Sequence, residues 1–324
     1  MPNLPLLNGM RGGNKMKGKF AYIVCFLLVL AFYAGAADVS HIAFTSKRDG
    51  ELGIYIMDIN GKNLQQLTNQ PQNEFRPAFS PNRQRMAYVS TRDGNLEIYV
   101  MHLPTKVSHR LTNHPGFDDK PAWSADGQWI AFDSNRAGLY DIYKIRHNGE
   151  NLQRLTHQGN NYHPAWSPDG LIAFDSKDGI HVMDSDGGNL RHLVNQPRAG
   201  KTPSWSPDGK QIAFSDMILG GNWDIYTLNV DGSNLRRMTR HPSKDMFPVW
   251  SPDGRSIVFY SRWNEKYDIY LIKDVASRHA IQLTEHPEVD RSPTWVPVGF
   301  FLSVPPKVNT QATLWGRLKQ SVGE

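Results

Sequence analysis

From residue 40 onward, apolar and polar positions alternate in short bursts separated by turn residues. Apolar triplets recur as Ile42-Ala-Phe, Met86-Ala-Tyr, Ile130-Ala-Phe, Ile172-Ala-Phe, Ile212-Ala-Phe and Ile257-Val-Phe. Each is followed by a second run of the type Ile54-Tyr-Ile-Met or Ile98-Tyr-Val-Met, then by a short segment such as Leu67-Thr or Leu111-Thr. Period-two alternation rich in Ile, Val, Tyr and Phe predicts β-strands, and runs of this length predict short ones.

The bursts belong to a repeat. Pro77, Pro121, Pro164, Pro203, Pro248 and Pro293 open related segments of the type Pro-x-Trp-Ser, spaced by 44, 43, 39, 45 and 45 residues. Four short strands per unit of about 40 to 45 residues are the signature of a propeller blade. Ser-Pro-Asp-Gly at 167–170, 206–209 and 251–254 joins the first and second strands of a unit. Its proline presets φ, its aspartate bonds back to its own backbone, and its glycine accepts a positive φ. Residues 38–68 supply the second to fourth strands of a blade without a first, and Pro293 to Val296 supply a first strand without the rest. The fragments complete one another. The expected fold is therefore an all-β, six-bladed β-propeller of four-stranded blades over residues 37–304, its ring closed by the C-terminal strand pairing into the first blade.

Composition changes the picture mainly at the N-terminus. The 324 residues carry a formal charge of +5, which suggests an anionic partner until its source is located. Arg11, Lys15, Lys17 and Lys19 stand in residues 1–36 without any acid, so the remainder is nearly neutral and nucleic acid is not an expected partner. These bases precede an apolar run from Phe20 to Tyr33 and the small residues Ala34 to Ala37, the order of a secretory signal peptide over residues 1–36. The alternative is an uncleaved anchor, which would be the chain's only membrane contact. The one cysteine, Cys25, lies within the leader, so the exported chain would contain neither disulfide nor thiol nucleophile. Residues 305–324 are read as a C-terminal tail.

The quoted repeat residues resemble those of the TolB-type, Pro-Asp-repeat and WD-repeat-like propeller family, over about residues 40–304. The resemblance implies a non-catalytic module of envelope assemblies, periplasmic or extracellular. The chain passes from its leader into strands within a few residues, leaving no room for the α/β domain that precedes the TolB propeller. Related propellers also accompany peptidase domains, but no Gly-x-Ser-x-Gly occurs here. The leading expectation is a monomer that binds an envelope or extracellular protein, or a small polar ligand, with no catalytic residue, metal or cofactor assigned. The alternative is a propeller-type polysaccharide lyase or hydrolase with a metal in its channel, as some pectin-lyase propellers hold one with His and Gln.

The candidate site follows from topology. Loops joining the fourth strand of one blade to the first of the next share a rim with those joining second and third strands, and there the repeat varies. Three residues before each proline stand Glu74, Asp118, Asn161, Gly200, Asp245 and Asp290. Arg48, Arg92, Arg136 and Arg262 come from the other loops of that rim, with Trp223 in the expanded one. His163, just before Pro164, is the histidine expected to face the channel. These residues are expected either to pair as exposed ion links of little energetic weight or to form a polar funnel for a ligand. His114, His241 and His286 share a Thr-x-His-Pro position and are expected to bond loop backbone, while Trp123, Trp166, Trp205, Trp250 and Trp295 are expected to pack between blades.

Overall fold

The computed structural model describes residues 41–193, 200–217 and 221–297. The expected leader and tail lie outside them. The described residues form six four-stranded sheets, each an antiparallel meander. Blade one is composite: its innermost strand is Asp290–Val296, followed by His41–Asp49, Glu51–Asp58 and Gln65–Gln66. Ile42 faces Trp295 and Ala43 faces Thr294 across the junction, which is the expected ring closure. The other inner strands are Glu74–Phe79, Asp118–Trp123, Tyr162–Trp166, Lys201–Trp205 and Asp245–Trp250, opening blades two to six.

The core is divided among the interfaces. Ile42, Phe44 and Met57 of blade one pack with Val258, Ile269 and Leu271 of blade six. Ala43, Ile54 and Ile56, on the opposite face, pack with Met86, Tyr88 and Met101 of blade two. Alternate residues of one strand thus serve two different interfaces, so both faces of each sheet pack against a neighbour. The indoles of Trp123, Trp205 and Trp295 each donate at 3.0 Å to a carbonyl of the preceding blade, at Ala78, Ala165 and Val249. They fill and stitch the interfaces, as expected of that series.

The turns obey the sequence logic. In Ser167-Pro-Asp-Gly170 the hydroxyl donates to Asp169 at 2.5 Å, and Gly170 has φ 92°. Gly61 (φ 76°) turns blade one against blade six, where a Cβ would drive into the Leu283 carbonyl. Among the described residues no helix is long and apolar enough to cross a membrane.

Candidate ligand site at the channel mouth

The inner strands surround a central cavity of about 360 Å³. Each begins with the same irregularity. The residue just before the proline has positive φ: Arg76 55°, Lys120 53°, His163 52°, Thr202 57°, Phe247 57° and Ser292 50°. In each of the six blades the pairing of first and second strands slips at this point. A left-handed conformation costs a non-glycine residue roughly 1 kcal/mol or more, so something must hold it. In four blades the holder is a side chain of the preceding blade's second strand. Thr45 accepts from the Arg76 amide at 3.1 Å, Asp133 from His163 at 3.0 Å, Asp175 from Thr202 at 3.0 Å and Ser215 from Phe247 at 3.2 Å. Where that position is Val89, the Lys120 amide donates instead to Asp119 at 2.8 Å. All six left-handed residues line the cavity.

The lining has two chemistries. On one arc Asp119 pairs with Arg76 and, at 2.9 Å, with Lys120, whose ammonium is also 3.4 Å from Asp133. His163 Nδ1 is 2.7 Å from Asp175, and Lys201 Nζ is 3.6 Å from the same carboxylate. Beside them, Phe247 stacks on Tyr260 at 5.3 Å between centroids and meets His163 edge-on at 5.2 Å. Although burial opposes it, Arg76 and Lys120 hold Asp119 down to about 2. Burial pushes Asp133 up to about 6 against the pull of Lys120, and its Oδ1 is buried without a hydrogen-bond partner.

This has a measurable consequence. An aspartate raised in the folded state binds more protons folded than unfolded between about pH 4 and pH 6, so its contribution to stability is lost as pH rises through that window. Asp133→Asn is expected to gain melting temperature relative to wild type as the pH is raised from 4 to 7. Parallel melting curves for the two proteins would show that Asp133 stays ionised throughout.

The residues expected at the rim are placed differently. Glu74 is 1% exposed, and Asp118, Asp245 and Asp290 are fully buried. Each of three is clamped inside its own blade by arginine: Asp290 by Arg48 at 2.9 Å, Asp118 by Arg136 at 2.7 Å, and Glu74 by Arg92. The guanidiniums of Arg48, Arg92 and Arg136 also lie 4.9, 4.2 and 5.0 Å from the ring centroids of Tyr55, Tyr99 and Tyr143. The reading of these acids as an exposed ring is thereby corrected, because the inner-strand start lies beneath the loops rather than above them. Arg262 is exposed and donates to the Glu265 carbonyl at 2.8 Å. The partner of Asp245 is Trp263, whose indole donates at 2.9 Å. Trp263 follows Ser261 by two residues, as Arg48 follows Ser46, and that spacing was the available signal.

Asn161 reaches back to Asp141 of the preceding blade at 3.0 Å. Trp223 is half-buried, and its carbonyl accepts from the Asp245 amide at 2.8 Å. Of the rim candidates only His163 lines the cavity. His114, His241 and His286 accept loop amides at Nδ1 at 2.9, 3.2 and 3.1 Å, the expected structural role. Among the described residues, one group of three His, Asp or Glu brings donor atoms within 4.8 Å of one another; it is Asp178, His181 and His192, away from the channel.

The sequence matches the family model described as the TolB beta propeller domain over residues 36–179 and 175–304. No curated protein matches the chain. Among solved structures, TolB from Acinetobacter baumannii is similar at 22% identity and a TM-score of 0.73, the match covering 84% of this chain and 71% of that one. A TolB candidate from Agrobacterium tumefaciens is similar at 21% and 0.64, covering 80% and 99%. An oligogalacturonate lyase in complex with manganese is similar at 17% and 0.57, covering 76% and 74%. At these identities the likeness is one of fold.

Proposed function

Because the chain belongs to the TolB beta propeller domain family, we propose that it is an exported, non-catalytic propeller that binds a partner through its channel mouth. The partner is an envelope or extracellular protein segment, or a small polar ligand. Residues 1–36 act as a cleaved leader, 37–304 as the binding module and 305–324 as a tail. The observation that carries the reading is the ring of left-handed residues before the prolines, which sends Arg76, Lys120, His163, Thr202, Phe247 and Ser292 into one cavity. An ionic cluster adjoining an aromatic pair suits a ligand that carries both a charged or hydrogen-bonding group and an apolar one. Arg262 and Trp223 on the neighbouring loops, with the buried pairs of Glu74, Asp118, Asn161, Asp245 and Asp290 as their frame, extend the contact surface. Binding is favoured over catalysis because the channel's charged groups are already engaged with one another.

The test is copurification from native envelope material, with wild type compared to Lys120→Ala and Phe247→Gly. The mature N-terminus is expected near Ala37. A partner held by wild type should be lost at least about tenfold by each variant; Phe247→Gly should melt within a few degrees of wild type, whereas Lys120→Ala, which leaves buried Asp133 without its cation, should melt lower and is compared at a temperature where it remains folded. A partner retained equally by all three proteins would sink the assignment. Cleavage of oligogalacturonate by the purified chain with manganese would replace it with the lyase reading.

A further inference from the structure

Blade four breaks the repeat at three positions that meet in space. Two residues after the serine at or near the end of the second strand, blades one to three carry Arg48, Arg92 and Arg136; blade four carries Asp178. In the third strand, where the other blades have tyrosine, as at Tyr55 and Tyr226, blade four has His181. The residue paired with that tyrosine across the fourth strand is arginine or glutamine elsewhere, as Tyr99 with Arg110 and Tyr55 with Gln66, whereas His181 pairs with His192. A cation, a phenol and a second polar donor have become one carboxylate and two imidazoles.

Their geometry is convergent. One donor atom from each lies within 4.8 Å of the others. The imidazoles stack at 4.7 Å between centroids, 21° from parallel. His181 Nε2 is 3.8 Å from Asp178 Oδ1, and His192 Nε2 is 3.0 Å from the Asp178 carbonyl oxygen. His181 Nδ1 is buried without a hydrogen-bond partner. At the fourth-strand position other blades are satisfied internally, as where Arg154 reaches Asp141 at 2.6 Å, and Tyr55 and Tyr99 donate to Asp49 and Asp93, although the Tyr226 and Tyr270 hydroxyls of blades five and six are also buried without a partner. A stack of two imidazoles with an orphaned nitrogen gains nothing comparable, since a buried polar atom left unpaired costs about 1 to 3 kcal/mol.

We propose that Asp178, His181 and His192 form a binding site for a divalent transition-metal ion of the zinc type on the outer edge of blade four. Two imidazoles and one carboxylate suit zinc, whereas calcium and magnesium take oxygen ligands. Donors on a tetrahedral zinc at about 2.0 to 2.1 Å stand roughly 3.3 Å apart. Closing from 4.8 Å falls to Asp178 and His192, both exposed. Three protein ligands leave a coordination position for water or for a donor from a bound molecule. A cavity of about 320 Å³ lined by His157, Asn161 and His181 adjoins it, with room for such a molecule.

The test is titration of the full chain with Zn²⁺ by calorimetry, and with Co²⁺ as a spectroscopic stand-in. Wild type is expected to bind one ion per chain and to melt higher in its presence. His181→Tyr and His192→Arg install what other blades carry at these positions, so they should fold, and each should weaken binding at least tenfold. Asp178→Asn should weaken it less. Absence of saturable binding by wild type, or unchanged affinity in both histidine variants, would overturn the proposal. Neither result touches the channel mouth, so this site stands or falls separately from the proposed function.

Discussion

Ending the chain after Val289 is expected to leave a protein that aggregates or melts without cooperativity. The truncation removes the inner strand of blade one, including the pairings of Ile42 with Trp295 and Thr45 with Arg291. It also removes the Trp295 indole donated to Val249, and it leaves Arg48 without Asp290. The exposed edge of His41–Asp49 would present unpaired amides and carbonyls, a template for pairing with a second chain. The single change Trp295→Ala should cost about 3 to 5 kcal/mol, the usual loss for a large buried aromatic. Calorimetry and size-exclusion chromatography decide the matter. A monomeric truncated protein melting at the wild-type temperature would refute the closure argument.

Removal of one rim arginine should be nearly as damaging. Arg136→Ala leaves Asp118 fully buried, still held by Ser134 at 2.5 Å but without its cation. Breaking a buried pair from one side costs about 3 to 5 kcal/mol, or roughly 10 °C in melting temperature for a domain of this size. Burial already pushes the Asp118 carboxyl above its usual range, despite Arg136. Without the arginine that upward shift grows, so stability is lost as pH rises, and the variant should be closer to wild type at pH 5 than at pH 8. Replacing both partners, as Asp118→Asn with Arg136→Met, should recover most of the loss. Equal melting temperatures for wild type and Arg136→Ala would return these residues to the class of exposed pairs.

The architecture was readable because one blade is written repeatedly and because the terminal fragments are complementary. Alternation, turn chemistry and spacing all pointed to one closed ring. The candidate site was readable only in outline. Asp118 and Asp290 stand beside loops, where charge ordinarily means exposure, and their partners lie 18 and 242 residues away in sequence. Local pattern carries no record of that burial. His163 is marked in the sequence by its place before Pro164, yet Arg76, Lys120, Thr202, Phe247 and Ser292 occupy the same place with no shared residue type to mark them. Their shared property is a left-handed backbone, which glycine would have advertised and these side chains do not. The coincidence of Asp178, His181 and His192 was visible only once strand pairing aligned them.

The left-handed step before each proline separates what the protein recognises from what holds it up. In four blades the conformation is fixed by the residue's own amide bonded to a side chain of the neighbouring blade, together with the slipped strand register, and neither uses the side chain that lines the cavity. Cation, imidazole, hydroxyl and phenyl already occupy equivalent places within one molecule. Selection can therefore rewrite the lining one place at a time while the blades stay intact. The propeller behaves as a socket with six exchangeable pins, two of them linked through Asp119, and chains sharing its frame can diverge in ligand without diverging in fold.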